Sequence, residues 1–271
     1  MRKKVSKKTI SALVVIHNEE DQLRACLECL KFVDEIVVVL DNCSDGSKSI
    51  AKKFSTKKIE GNWRIEGVRR NKGIQGCSGN WILEVDADER ISKKLAKEIL
   101  RKIYRTKNDW FLIPVDNYIG DKLIKYGWGG SFGKSSYPGL FRKGYKTWGK
   151  QRVHPKLELK GTRGRDLVNP VRHNFDHSIS GLIRKLDSYS SARALDLRDS
   201  GNLGTFIGNF RRIFSRFLKC YFFRRGYREG SYGFLIALLS GLYPILSYLC
   251  LLYTSDAADE RSSVDLGGRR I

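Results

Sequence analysis

Trp81-Ile82-Leu83-Glu84-Val85-Asp86-Ala87-Asp88-Glu89-Arg90 decides the fold class. Trp81 to Val85 reads as a β-strand, and the acidic turn Asp86-Ala87-Asp88-Glu89 follows it directly. A helix is predicted next, from Ser92 to Tyr104, with Leu95, Ile99 and Ile103 on one face. Upstream the same alternation recurs. Ile10 to Ile16 and Ile36 to Leu40 are apolar runs of strand length, Leu23, Leu27 and Leu30 fall at helical spacing, and Ser44 to Phe54 reads as a turn and a helix. Apolar strands separated by helices predict an α/β domain with a mostly parallel central sheet, covered by helices on both faces. In such sheets ligands bind at the carboxyl ends of the strands. Phe111 to Val115 is expected to add a fourth strand.

Downstream the character of the chain changes. Tyr118 to Gly144 is rich in Gly and aromatics, Leu157 to Arg184 reads as short strands and loops, and Leu186 to Leu197 reads as a polar helix. Phe206 to Tyr227 mixes Phe, Ile and Leu with a row of Arg and Lys, the composition of a helix lying on an anionic leaflet. Tyr232 to Leu249 then runs for eighteen residues without a charge. That is at the short limit for a membrane span, and Gly241 and Pro244 within it predict a re-entrant or half-embedded hairpin. Expected domains are therefore 1–200 as the α/β domain and 201–249 as membrane-associated helices. Residues 250–271 turn abruptly to Thr, Ser, Asp, Ala and Gly with no apolar period, and resemble a translated sequencing adapter. They are expected to be a disordered, non-native tail that adds nothing to fold or catalysis.

The formal net charge is +22 over 271 residues, which calls for an anionic partner. Nucleic acid is disfavoured, because Lys and Arg are spread along the chain, concentrate beside the apolar stretch, and form no known DNA or RNA module. Six cysteines show no disulfide framework; Cys26 and Cys29 make a lone C-x-x-C inside a helical pattern and are expected to be inert. The N-terminus is basic, but a strand follows at once without a cleavage signal, so no signal peptide is expected.

Two carboxylates one residue apart at a strand end, Asp86 and Asp88, can share a hard divalent cation that neutralises a diphosphate. Polar clusters end the other strands: His17-Asn18-Glu19-Glu20 after the first and Asp41 to Ser47 after the second, with Arg69-Arg70-Asn71-Lys72-Gly73 between them and the acidic pair. Asn18 and Glu19 are placed to shape a base pocket, Asp41 to meet a base or ribose edge, and Arg70 to face the diphosphate. The plain alternatives are that Asp45 and Ser47 cap a helix and that Glu19 and Glu20 favour a helix N-terminus.

On these pieces the chain resembles family 2 glycosyltransferases, which have the GT-A fold, and within them the branch of lipopolysaccharide core β-glucosyltransferases. The matching residues are Val14 to Glu20, Val33 to Val39, Asp41 to Ser47, Arg70-Asn71, Trp81 to Arg90, Gly139-Leu140-Phe141-Arg142 and Arg152-Val153-His154. The resemblance implies inverting transfer from a nucleotide sugar, often a UDP-sugar, with Mg²⁺ or Mn²⁺, to a lipid-linked or cell-envelope saccharide. It implies work at the cytoplasmic face of the inner membrane, as a peripheral or monotopic protein. A polyprenyl phosphate acceptor, an inactive sugar-nucleotide scaffold and a basic nucleic-acid-binding protein are the competing readings.

Several relatives carry an acid just after the Val-His pair, where Pro155 stands here. An inverting transferase needs a base for the acceptor hydroxyl, and the candidates are His154, Glu158 and Asp176. His154 is read first as a metal or phosphate ligand, ahead of the base role, with a structural histidine as the plain alternative; Asp88 is the expected metal carboxylate. Tyr126, Trp128, Phe132, Tyr137 and Trp148 would either stack on the acceptor sugar or fill a core, and Lys134 and Arg142 would meet phosphate or water.

Overall fold

The computed structural model describes residues 8–128, 133–152, 155–201 and 204–266, with the backbone alone after residue 253. In chain order its elements are β1 (Ile10–Ile16), α1 (Glu20–Glu28), β2 (Glu35–Asp41), α2 (Ser47–Phe54), β3 (Lys57–Gly61), α3 (Glu66–Gly76), β4 (Trp81–Val85), β5 (Glu89–Arg90) and α4 (Lys93–Arg105). Then come β6 (Trp110–Ile119), β7 (Lys122–Ile124), β8 (Ser136–Arg142), β9 (Lys146–Trp148), β10 (Leu157–Leu159), β11 (Val171–Asp176), α5 (Ile179–Ser200), α6 (Phe206–Leu218) and α7 (Ser231–Leu266). The chain divides into two compact units, Met1–Leu123 with Lys134–Phe175, and Ile124–Gly133 with Asp176–Ile271. The boundary expected near residue 200 falls instead at Asp176, because α5 packs on α7.

In the first unit the strand order is β3-β2-β1-β4-β8-β6-β11-β5, with β7 on β6. β3, β2, β1 and β4 are parallel, whereas β4 meets β8, β8 meets β6, and β11 meets β5 antiparallel. The sheet is thus mixed, not mostly parallel. The physical reason shows in β6, where partly exposed and buried residues alternate along ten positions, the pattern of a strand with one wetter face. β1, β2 and β4 are buried on both faces, whereas the edge strand β3 is largely exposed. Ala12, Val14 and Val38 pack with Leu23, Leu27, Leu95 and Ile99. Leu13, Val37 and Val39 pack on the other face with Ile74 of α3. Gly73 allows that approach, since a Cβ there would stand 2.4 Å from Leu13 Cδ1. Ser92 caps the start of α4 by accepting from Leu95 N. Cys26 is fully buried in α1 and burial pushes its thiol well up, so the C-x-x-C is structural.

In the second unit α5, α6 and α7 form a helical layer. α6 stops at Leu218, earlier than the expected Tyr227; a π turn, Lys219–Phe223, follows, and Arg225 adopts a positive φ of 59°. α7 passes through Gly241 and Pro244 as one helix, which corrects the expected hairpin. Gly241 serves close packing here, not a turn, because a Cβ would lie 2.7 Å from Ile213 O of α6. Within the segment expected to be disordered from residue 250, the backbone is helical as far as Leu266 and Leu251 is buried, while residues 267–271 lie outside the described ones. A helix already nucleated propagates at little cost into Asp-Ala-Ala-Asp-Glu.

Candidate active site

β1 lies between β2 and β4, and Ile16 pairs with Leu40 while Val14 pairs with Val85. Parallel register therefore brings the exits of three strands to one edge, and with them Asn18, Asp41, Asp86 and Asp88. The first two exits are latched together. Asn18 Oδ1 accepts from Ser44 N at 2.8 Å, Ser47 Oγ accepts from Glu19 N at 3.0 Å, and Asp45 Oδ2 accepts from Glu20 N at 3.0 Å. His17 Nδ1 lies 2.7 Å from Asp41 O. Asn18 and Asn42 hold φ of 54° and 46°, the left-handed region that Asn tolerates better than most residues. Asp41 is nearly buried, accepting from Trp63 N at 2.8 Å and from Arg69 Nη1 at 2.6 Å, so it fixes the loop floor.

The third exit rests on buried charges. Glu84, inside β4, accepts from Arg70 Nη1 at 2.8 Å and Lys146 Nζ at 2.6 Å. Burial alone would raise the Glu84 carboxyl, but the Lys146 and Arg70 charges outweigh it and hold it below its ordinary range. Arg70 Nη2 continues to Asp86 Oδ1 at 3.0 Å, and Lys134 Nζ takes Asp86 Oδ2 at 3.0 Å. Against a large burial effect, these two cations hold the Asp86 carboxyl far below the usual range. Lys134 also reaches Glu89 Oε1 at 2.8 Å, and Glu89 Oε2 accepts from Tyr137 Oη at 2.7 Å and from Asp86 N at 3.1 Å. Asp86 is accordingly an anchor for two cations, with both oxygens engaged.

Asp88 differs. Its Oδ2 lies 3.2 Å from His173 Nε2, and its Oδ1 is buried without a hydrogen-bond partner among the described residues. His173 Nδ1 faces Asn117 Oδ1 at 2.7 Å, while Asn117 Nδ2 donates to Lys134 O at 2.9 Å. That orients the amide and commits the Nδ1 proton, so Nε2 and Oδ2 attract only with a proton or a metal ion between them. Among the described residues no group of three or more His, Cys, Asp or Glu is set to hold a metal. Asp88 with one free buried oxygen still fits Mg²⁺ or Mn²⁺, because such ions take one or two carboxylates together with substrate phosphates and water.

The chain matches the family model for glycosyl transferase family 2 over residues 11–190, more than half its length and inclusive of every residue of this edge. The chain belongs to glycosyl transferase family 2. The lipopolysaccharide core biosynthesis glycosyltransferase LpsC of Rhizobium meliloti is 26% identical over 281 residues, covering 96% of this chain and 98% of that one. An uncharacterized glycosyltransferase of Rickettsia typhi is 27% identical over 254 residues, covering 86% and 82%. The crystal structure of S. aureus TarS 1–349 in complex with UDP superposes with a TM-score of 0.49 at 16% identity, covering 70% of this chain and 65% of that one. The enzyme is thus a family 2 glycosyltransferase that resembles lipopolysaccharide core transferases, with a GT-A-like α/β fold.

Several expected site residues of this glycosyltransferase have other places. Asn71 Nδ2 donates to Trp148 O, and Asn71 Oδ1 accepts from Trp148 N, both at 2.9 Å, tying α3 to β9. The cluster Arg69 to Gly73 lies in α3, not at a strand end. Trp148 stands under Arg70 and Lys146, 4.9 and 4.4 Å from its ring, and Tyr137 is committed to Glu89, so these aromatics serve the charge network. Trp128 is buried and donates to Ile124 O at 2.6 Å, and Tyr126 faces Arg228, 5.0 Å away. Asp176 Oδ1 accepts from His177 N and Ser178 N at the start of α5. Glu158 is exposed on the β9–β10 pair, opposite Thr147. His154 and Phe132 lie outside the described residues. Glu84, Glu89, Lys134, Lys146 and His173 are the site groups that motif reading missed or left unplaced.

Arg142 is the clearest displacement. β8 runs antiparallel to β4 and pairs Arg142 with Trp81, at the opposite end of β4 from Asp86. Its guanidinium lies 5.1 Å from the Trp81 ring and 3.2 Å from Asp109 Oδ1. Arg142→Gln is expected to leave the donor KM unchanged while lowering stability by about 1 kcal/mol. Steady-state kinetics and a thermal melt check both parts, and a large rise in donor KM would return Arg142 to the donor site.

Proposed function

We propose that this enzyme transfers a sugar, with inversion, from a UDP-sugar to a lipid-linked or envelope saccharide, assisted by Mg²⁺ or Mn²⁺, at the cytoplasmic face of the inner membrane. The observation that carries this reading is the asymmetry of the acidic pair, in which Asp86 is saturated by Arg70 and Lys134 while Asp88 keeps one buried oxygen open. Asp88 would hold the metal ion, with His173 fixing the carboxylate from behind. When bound, that ion supplies positive charge to a departing diphosphate. The Asn18 and Asp41 loops, latched to each other, form a rigid floor suited to the nucleoside. Arg70 and Lys134 hold Asp86, and with it the turn that carries Asp88, so little reorganisation accompanies donor binding. The LpsC relative supports an envelope saccharide as acceptor, and the row of cations along α6 supports an anionic membrane as the workplace.

The test is transfer from a panel of labelled UDP-, GDP- and dTDP-sugars to an envelope lipid extract, with Mn²⁺ or with EDTA. A product from one UDP-sugar that disappears with EDTA is the expected result. Turnover with a non-uridine donor, or equal turnover in EDTA, would overturn the corresponding half of the reading.

A further inference from the structure

α6 carries an apolar stripe on its open side. Phe206, Phe210, Phe214 and Leu218 recur every four residues and are 51%, 48%, 58% and 46% exposed, with Ile207 beside them at 78%. At 3.6 residues per turn this stripe covers about a third of the helix circumference. Its rings touch in sequence, Phe206–Phe210 stacked with centroids 6.2 Å apart and Phe210–Phe214 edge to face at 5.6 Å. Phe222 and Phe223 extend the exposed aromatics to 54% and 83%. A contiguous exposed apolar patch of this kind marks an interaction surface. α7 behaves differently. It is apolar over Ser231–Tyr253, a length that would suffice to cross a bilayer, but half of its most apolar window is buried inside the protein. Ile236, Ala237, Leu239, Ser240, Tyr243 and Ser247 face inward, and Gly241 brings the helix against Ile213 of α6.

We infer that α6 lies in the plane of an anionic lipid surface, with the Phe206–Phe210–Phe214–Leu218 stripe in the acyl boundary, and that α7 backs it without crossing. The charge pattern selects this occupant. Residues 206–228 hold seven Arg and Lys and no acid, and Arg211 and Arg212 are exposed in the same turn of α6. Two copies of such a face would bring like charges together across an isologous contact, whereas anionic headgroups complement it. The arrangement is that of an interfacial helix: apolar side in the chain region, cations at headgroup level. This rests on the reading of the enzyme as working at an anionic envelope membrane, and it goes further by naming the face and the orientation.

The experiment is flotation of the full chain with vesicles of phosphatidylcholine alone or with phosphatidylglycerol added. The wild-type protein should float with the anionic vesicles, less so with neutral ones, and less as NaCl is raised. F206S/F210S/F214S should reduce the floated fraction at least about tenfold, since each exposed Phe forfeits its apolar burial in lipid. R211E/R212E is an independent charge-side variant and should also lose binding, and circular dichroism of both should match wild type. Wild-type flotation that survives F206S/F210S/F214S unchanged overturns the face while leaving the membrane reading intact. Absence of wild-type flotation overturns both. Resistance of the membrane-bound protein to carbonate extraction overturns the in-plane orientation, and a dimer in solution that the triple Phe variant dissolves overturns lipid as the occupant.

Discussion

Asp88→Asn is expected to lower kcat/KM by on the order of 100-fold or more, the scale of removing one preorganised electrostatic stabiliser. The fold should survive. Asp88 sits on a partly exposed turn, and the neighbouring Asp86–Lys134–Glu89 contacts that shape this turn do not involve its side chain. Asparagine also restores a matched pair with His173, because its amide N–H can donate to Nε2 while Nδ1 continues to donate to Asn117 Oδ1. What disappears is the anionic oxygen that has no hydrogen-bond partner among the described residues, Asp88 Oδ1. Measured side by side, Asp86→Asn should behave differently. It strips two cations of a shared counterion and should show in the melting temperature as well as in the rate. Near wild-type turnover of Asp88→Asn with Mn²⁺ present would falsify the role given to this carboxylate.

Glu84→Gln should be the most destabilising single change at the site. Glu84 and Lys146 side chains are 3% and 1% exposed and lie 2.6 Å apart, and Arg70 Nη1 adds a second ion pair at 2.8 Å. Neutralising the acid leaves Lys146 buried without a carboxylate, a cost of about 3–5 kcal/mol for a broken buried pair. That corresponds to a melting temperature lower by roughly 10 °C in a chain of this size. The pH dependence follows from the depressed Glu84 carboxyl. Its stabilisation is fully present above the unfolded carboxylate value, about 4.3, and is lost as pH falls through the lower folded value. Wild type should therefore lose stability faster than Glu84→Gln as acid is added below about pH 4. Parallel thermal melts from pH 7 to pH 3 check this, and equal slopes for the two proteins would remove the buried pair from the account.

The carboxyl edge was legible because its signal is local. Apolar runs such as Leu-Val-Val-Ile end in polar residues, and parallel register then brings those ends together whatever lies between. The charge network was not legible, because its cations come from far along the chain. Lys134 and Lys146 stand 48 and 62 residues from Asp86 and Glu84, and His173 stands 85 from Asp88. Only tertiary pairing of β8, β9 and β11 delivers them. A sharper reading of Trp81 to Val85 could have noticed Glu84, since a carboxylate in a strand buried on both faces requires a cation. Arg142 misled for the converse reason: its motif matched, but antiparallel pairing turned β8 around and carried it to the other edge. In α7, Gly241 and Pro244 suggested a turn by local chemistry, whereas packing against Ile213 accounts for the glycine.

The most direct measurement of the central claim is calorimetric titration of UDP into wild type and Asp88→Asn, each with Mn²⁺ and with EDTA. The account predicts that wild type binds UDP with Mn²⁺ and loses most of that affinity in EDTA, while Asp88→Asn binds weakly and equally in both. Undiminished Mn²⁺-dependent binding by Asp88→Asn would contradict it.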